Sequence, residues 1–153
     1  MAVEKWRPLW PGRARPRSIE ALRFDVRRAA DVTRTFDLAI REKVEAIGVS
    51  VDGTIRPNRQ LIIDLAAMNK LPAMYSAREF VDDGGLIAYA ASYAALYSRA
   101  ASFVGKIFKG AKPAELPIEQ PTKFELVINL KVAKSLGVAV PPTLLARADE
   151  VIE

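Results

Sequence analysis

Ala46-Ile47-Gly48-Val49-Ser50-Val51-Asp52-Gly53, followed by Leu71-Pro72-Ala73-Met74-Tyr75, decides the fold of this chain. The first stretch is a short apolar run closed by an Asp-Gly turn signal, the pattern of a buried strand. The second is another short strand, entered through a proline. Between them Pro57 suits the first turn of a helix whose apolar stripe is Leu61, Ile62, Leu65, Ala66 and Met68 or Asn69. Strand, helix and strand joined by short connections predict parallel pairing, because a parallel pair needs a crossover that a helix supplies.

Working upstream, Ala21-Leu22-Arg23-Phe24-Asp25-Val26 alternates apolar and polar residues and predicts a further strand. Asp31 is placed to cap a helix with Val32, Phe36, Ala39, Ile40 and Lys43 along one stripe. The resulting β-α-β-α-β order predicts an α/β fold, a doubly wound parallel sheet covered on both faces. Such sheets bind ligands outside the C-terminal ends of their strands. Those ends are 25–27, 52–54 and 75–79.

Downstream, Gly84-Gly85 leads into a strand at Leu86-Ile87-Ala88-Tyr89. Tyr93, Leu96, Tyr97, Ala100, Val104, Ile107 and Phe108 then recur at helical spacing, a stripe expected to pack, and Gly110 and Pro113 stop the helix. Leu116-Pro117-Ile118-Glu119 and Phe124-Glu125-Leu126-Val127-Ile128 predict two more strands. Asn129 is set to cap a short helix ending at Gly137, and Pro141-Pro142 to open a last helix running to Glu153.

Residues 1–17 differ from this body. They carry Lys5, Arg7, Arg13, Arg15 and Arg17 against Glu4 alone, while residues 18–153 hold 18 basic and 17 acidic residues. The net charge of +5 therefore belongs mainly to an arm. Pro8, Pro11, Gly12 and Pro16 predict irregular structure there, with a boundary near Ser18. Trp6 and Trp10 among the arginines admit contact with nucleic acid or acidic lipid, but no binding motif orders them. A disordered tail or a misassigned start is the preferred reading.

Composition also excludes chemistry. The chain contains neither cysteine nor histidine, so thiol nucleophiles, thiolate metal sites and Ser/His or Cys/His arrangements cannot form. A Gly-rich phosphate loop is missing as well. Asp82-Asp83-Gly84-Gly85 reads as a polar turn rather than a cation site, for want of spaced ligands. The first ten residues contain neither an apolar h-region nor a small-residue cleavage site, so no secretory signal is expected.

Several strand-end residues admit two readings each. Asp52 and Gly53 can hold a ligand ammonium or hydroxyl, or simply build a turn. Arg78 and Glu79 can clamp a ligand carboxylate through the guanidinium fork, or pair locally at the surface. Tyr75 and Tyr89 can stack on a ligand or edge the core.

The segment Tyr75-Ser-Ala-Arg-Glu-Phe-Val-Asp-Asp-Gly-Gly-Leu-Ile-Ala-Tyr89 is similar to one found in ABC transporter substrate-binding proteins of the tryptophan-binding-protein-like family. The resemblance continues through Ile107–Leu130 and ends on Pro141-Pro-Thr-Leu-Leu-Ala-Arg-Ala-Asp-Glu-Val-Ile-Glu153. It implies the type I periplasmic-binding fold, two α/β lobes around a cleft, of which this chain resembles the C-terminal lobe with its crossover elements. The implied function is solute binding for an ABC-type import system, without catalysis or cofactor. The alternative is a ligand-sensing or interaction module of the same fold.

The same resemblance places ligand contacts at Asp52, Gly53, Tyr75, Arg78, Glu79 and Tyr89. Where the family commonly has Ser-Tyr-Gly-Pro, this chain has Ala88-Tyr89-Ala90-Ala91, a change of backbone at the cleft wall. The implied partners are a small solute (an amino acid or similar), an ABC permease and, if the first lobe is absent, further copies of this chain, with no nucleic acid. Periplasmic residence is implied by the family, and a cytoplasmic one by the sequence as written.

Overall fold

The computed structural model describes residues 4–6 and 20–153. Its main sheet has five strands in the order β3-β4-β5-β6-β7, where β3 is Ile47–Val49, β4 Ala73–Tyr75, β5 Ile87–Ala91, β6 Phe124–Asn129 and β7 Glu150–Ile152. β3, β4 and β5 run parallel, β6 is antiparallel to β5, and β7 is parallel to β6. The decisive β3–helix–β4 unit forms as its pattern predicts. Pro57 lies in a 3₁₀ turn, Arg56–Asn58, that runs directly into the helix Arg59–Met68.

One face of the strands builds the core. Tyr75, Ala88 and Val127 share that face by register and pack with Val32 and Phe36 of α1 (Asp31–Arg41) and Ile62, Ile63 and Ala66 of α2 (Arg59–Met68). Phe80 and Val81 of α3 (Glu79–Asp82) complete the cluster. Strand side chains alternate between faces, so Met74 and Tyr89 point the other way, and both are about half exposed. The expected cover on both faces is therefore absent at these two positions.

The first expected strand shortens and changes place. Ala21–Arg23 (β2) pairs antiparallel with Glu4–Trp6 (β1) in a separate two-stranded sheet. Residues 25–27 are consequently not a strand end of the main sheet. The arm expected to be irregular supplies one regular element, because β2 offers Glu4–Trp6 a ladder partner despite the surrounding prolines. The rest of the arm, including Trp10 and the boundary near Ser18, lies outside the described residues.

Asp31 is the first residue of α1 and not its cap. Its Oδ2 instead accepts from the backbone N–H groups of Arg27 at 3.3 Å and Arg28 at 3.0 Å, bracing the preceding turn. The helix after β5 (α4) spans Tyr93–Phe108 and is capped by Ser92, whose Oγ accepts from the Ala95 N–H. Its apolar stripe does not pack as expected. No α4 residue belongs to the core cluster, and Tyr97 and Phe108 are 74% and 86% exposed.

Two further expectations are overturned near the C-terminus. Leu116–Glu119 forms no strand, since Pro117 has no N–H to give a ladder and Ile118 is fully exposed. The last helix, α6, covers only Pro142–Leu145, and the chain then returns to the sheet as β7. Asp149 fixes that return by accepting from the Leu126 N–H at 2.8 Å through its carboxylate and donating its own N–H to the Leu126 carbonyl at 2.9 Å. The intervening helix α5, Leu130–Leu136, has the Asn129 cap and Gly137 terminus that the sequence predicts.

Candidate functional site

The parallel strands β3, β4 and β5 each end in a loop that enters a helix, and all three loops open on the same edge of the sheet. The first two loops are pinned together. Ser76 accepts from the Val51 N–H at 2.9 Å through its hydroxyl and donates its own N–H to the Val49 carbonyl at 3.1 Å. Asp52 shapes the first loop from within. Its Oδ1 accepts from the N–H groups of Thr54 and Ile55, each at 2.8 Å, and its carbonyl accepts from the Arg56 N–H. This carboxylate does the work of a turn residue. Gly53 lies exposed beside it, with open space where a side chain would stand.

With the loop held this way, Arg56 projects from the turn after β3 towards the other two strand ends. Its Nη1 donates to Oε1 of Glu79, the first residue of α3, in an ion pair. Its Nη2 donates to the hydroxyl of Tyr93, the first residue of α4, at 2.7 Å. The guanidinium carbon also lies 5.5 Å from the Tyr93 ring centroid, within cation–π range. The Tyr93 hydrogen bond is the largest influence holding the Arg56 pKa above its ordinary value, and the Glu79 charge adds to it. Three successive strand ends thus contribute one cation, one anion and one hydroxyl to a single partly exposed cluster.

The other predicted residues fall around this cluster rather than in it. Arg78 turns to β7, where Nη2 donates to Glu150 at 2.8 Å, and it also pairs with Asp82 at 3.4 Å. Tyr75 is only 1% exposed, and its ring stacks on Phe80 at 4.8 Å between centroids. Burial pushes its hydroxyl pKa up to about 12. Tyr89 is 50% exposed on the opposite face of the sheet and stacks on Phe124 at 5.4 Å. Asp83 is paired with Arg59, and the described residues contain no group of three metal-ligating side chains.

Arg56, Ser76 and Tyr93 are not among the residues that the sequence singles out. Ser76 lay inside a predicted strand end and carried a legible signal. Tyr93 belongs by spacing to an apolar helix stripe, although its position just behind the Ser92 cap marks it as a strand-end residue. Nothing local distinguishes Arg56, whose role depends on groups 23 and 37 residues away.

Polar groups gathered at the C-terminal strand ends of an α/β sheet stand where such sheets take small molecules. The sequence profile described as ABC transporter substrate binding protein matches residues 13–152, and the chain belongs to that family. Among solved structures it is similar to the ABC domain from Streptococcus pneumonia in complex with L-Trp, with 30% identity and a TM-score of 0.74 over 83% of this chain and 44% of that one. A conserved domain protein from Vibrio cholerae is 29% identical, with a TM-score of 0.73 over 81% of this chain and 42% of that one. The ligand-free, open structure of a substrate-binding protein with adhesive properties from Clostridium difficile shares the fold at 18% identity, with a TM-score of 0.59 over 83% of this chain and 42% of that one. The chain thus spans less than half the length of each. No curated protein matches it at the sequence level.

Proposed function

We propose that this chain is the solute-binding component of an ABC-type import system, holding a small solute at the edge where β3, β4 and β5 end. The observation that carries this reading is the meeting of Arg56, Glu79 and Tyr93 from three successive strand ends. Family membership supports it, and so does the site chemistry, which offers charge and hydrogen bonds without a nucleophile–base pair. Of the six residues expected to touch ligand, Glu79 faces the solute in this reading. Asp52 and Gly53 form the loop beneath it, Arg78 and Tyr75 support the wall, and Tyr89 lies on the far face.

In the complete assembly a second lobe closes over the solute, and an ABC permease receives the closed form. Function on the periplasmic side follows from the family's usual location, and no helix among the described residues is long and apolar enough to cross a membrane. The exposed apolar residues of α4 support contact with a partner, including a second copy of this chain.

The solute is an amino acid or a similar small molecule. L-Tryptophan, present in the Streptococcus structure, is the first probe. Calorimetric titration with it and with the other amino acids should give at least one saturable isotherm. Flat traces and unshifted melting curves across the whole set would remove solute binding as the function.

A further inference from the structure

The Arg56 cluster is only half used by its internal partners. A guanidinium carries five N–H donors in a planar fork that matches a carboxylate. Among the described residues Glu79 and Tyr93 take one donor each, from Nη1 and Nη2, and nothing engages Nε. Tyr93 accepts from Arg56 with its oxygen, which leaves the phenol's own proton to donate. The two side chains therefore present N–H and O–H donors side by side. Both stand at the edge of the sheet where this fold takes its ligands.

Charge narrows the ligand further. Glu79 already neutralises Arg56, so one negative charge on a ligand would be held by the unused N–H and O–H donors and not by a surplus cation. A second would face the Glu79 carboxylate, a few ångströms from Arg56, and like charges at that range repel. Arg59–Asp83 and Arg78 with Asp82 and Glu150 are the neighbouring ion pairs, and among the described residues neither arginine meets a hydroxyl from another strand end as Arg56 meets Tyr93.

We propose that Arg56 and Tyr93 form a subsite for a single carboxylate of the solute, and that Glu79 beside them rejects ligands bringing a second negative charge. This rests on the solute-binding reading but adds a selectivity to it: monocarboxylates are taken, while dicarboxylates and phosphates are refused. Arg56 and Tyr93 would touch the ligand, and Glu79 sets the charge limit.

Nuclear magnetic resonance of the whole chain tests this with acetate, acetamide and inorganic phosphate as probes. Acetate should shift the Arg56 Nε–H and Tyr93 ring signals saturably, while acetamide leaves them in place. Phosphate should be inert on the parent protein and active on Glu79→Gln. Arg56→Gln should abolish the acetate response and weaken any carboxylate-bearing solute by about tenfold or more, the worth of one charged hydrogen bond. Tyr93→Phe should weaken it by a smaller factor.

Equal responses to acetate and phosphate in the parent protein would overturn the proposal, as would an acetate response that survives Arg56→Gln. If an amino acid binds with the same affinity to the parent and to Arg56→Gln, this subsite falls and solute binding stands. If acetate behaves as expected but no solute binds, the broader reading falls instead.

Discussion

Gly85 lies so close to Tyr75 that a Cβ on the glycine would stand 2.6 Å from the tyrosine Cε2. The same atom would stand 2.6 Å from the Phe80 carbonyl oxygen, which already accepts the Gly85 N–H at 2.7 Å. The ring, the carbonyl and the glycine backbone fill this corner of the core behind the strand ends. Gly84 turns the chain into it at φ 105°.

Gly85→Ala should therefore destabilise the fold by about 1–3 kcal/mol, because neither the buried ring nor the backbone carbonyl can retreat cheaply. Urea unfolding measures this as a lower midpoint at an unchanged slope. Parent-like stability would show that the corner is looser than the structure has it.

The buried Tyr75 hydroxyl makes stability sensitive to alkali. Its folded-state pKa is about 12 against 10 in the unfolded chain. Below pH 10 both states are protonated and the stability is fully present. Above it the unfolded chain loses the proton first, so stability falls as pH rises through the folded value. The loss from this group is about 2–3 kcal/mol by linkage. Unfolding of Tyr75→Phe between pH 9 and 12 should show a correspondingly shallower decline, and an identical slope in both proteins would contradict it.

Asn129 links β6 to α5. It is nearly buried, and its Oδ1 accepts from the Val132 N–H at 3.1 Å. Asn129→Ala should cost about 1 kcal/mol, the usual loss of a helix N-cap. Asn129→Asp keeps the acceptor and should recover part of it. Chemical denaturation of the two variants side by side makes the comparison.

The uncovered face of α4 predicts association. Tyr97 and Phe108 leave large apolar area in water, and covering it is favourable by about 25 cal/mol per Å². Sedimentation velocity should show an average mass that rises with concentration, and Tyr97→Ser with Phe108→Ser should suppress the rise. A parent protein that stays monomeric at high concentration would rule out a second copy as the partner.

Much of this fold is legible from local patterns, for reasons that particular elements make plain. The β3–α2–β4 unit is readable because a short apolar run, an Asp-Gly turn and a helical stripe each act within a few residues. Asn129 and Gly137 bound α5 correctly since capping is a local hydrogen-bond problem. β7 is not legible in the sequence because Glu150–Ile152 is too short to show a period and is a strand only beside β6. The α4 stripe misled, as periodicity tells which residues share a face but not whether anything covers it.

The candidate site divides in the same way. The sequence alone points to the ends of the parallel strands as the place for a site, and Glu79 is among the residues it names there. Only the tertiary structure decided that Tyr75 points into the core and that Arg78 turns away to Glu150. It also brought Arg56 to both Glu79 and Tyr93. Side-chain direction at a strand end depends on register and on which groups compete for a charge, and those competitors lie on distant parts of the chain. A cluster assembled from three loops has no local pattern by which a sequence could declare it.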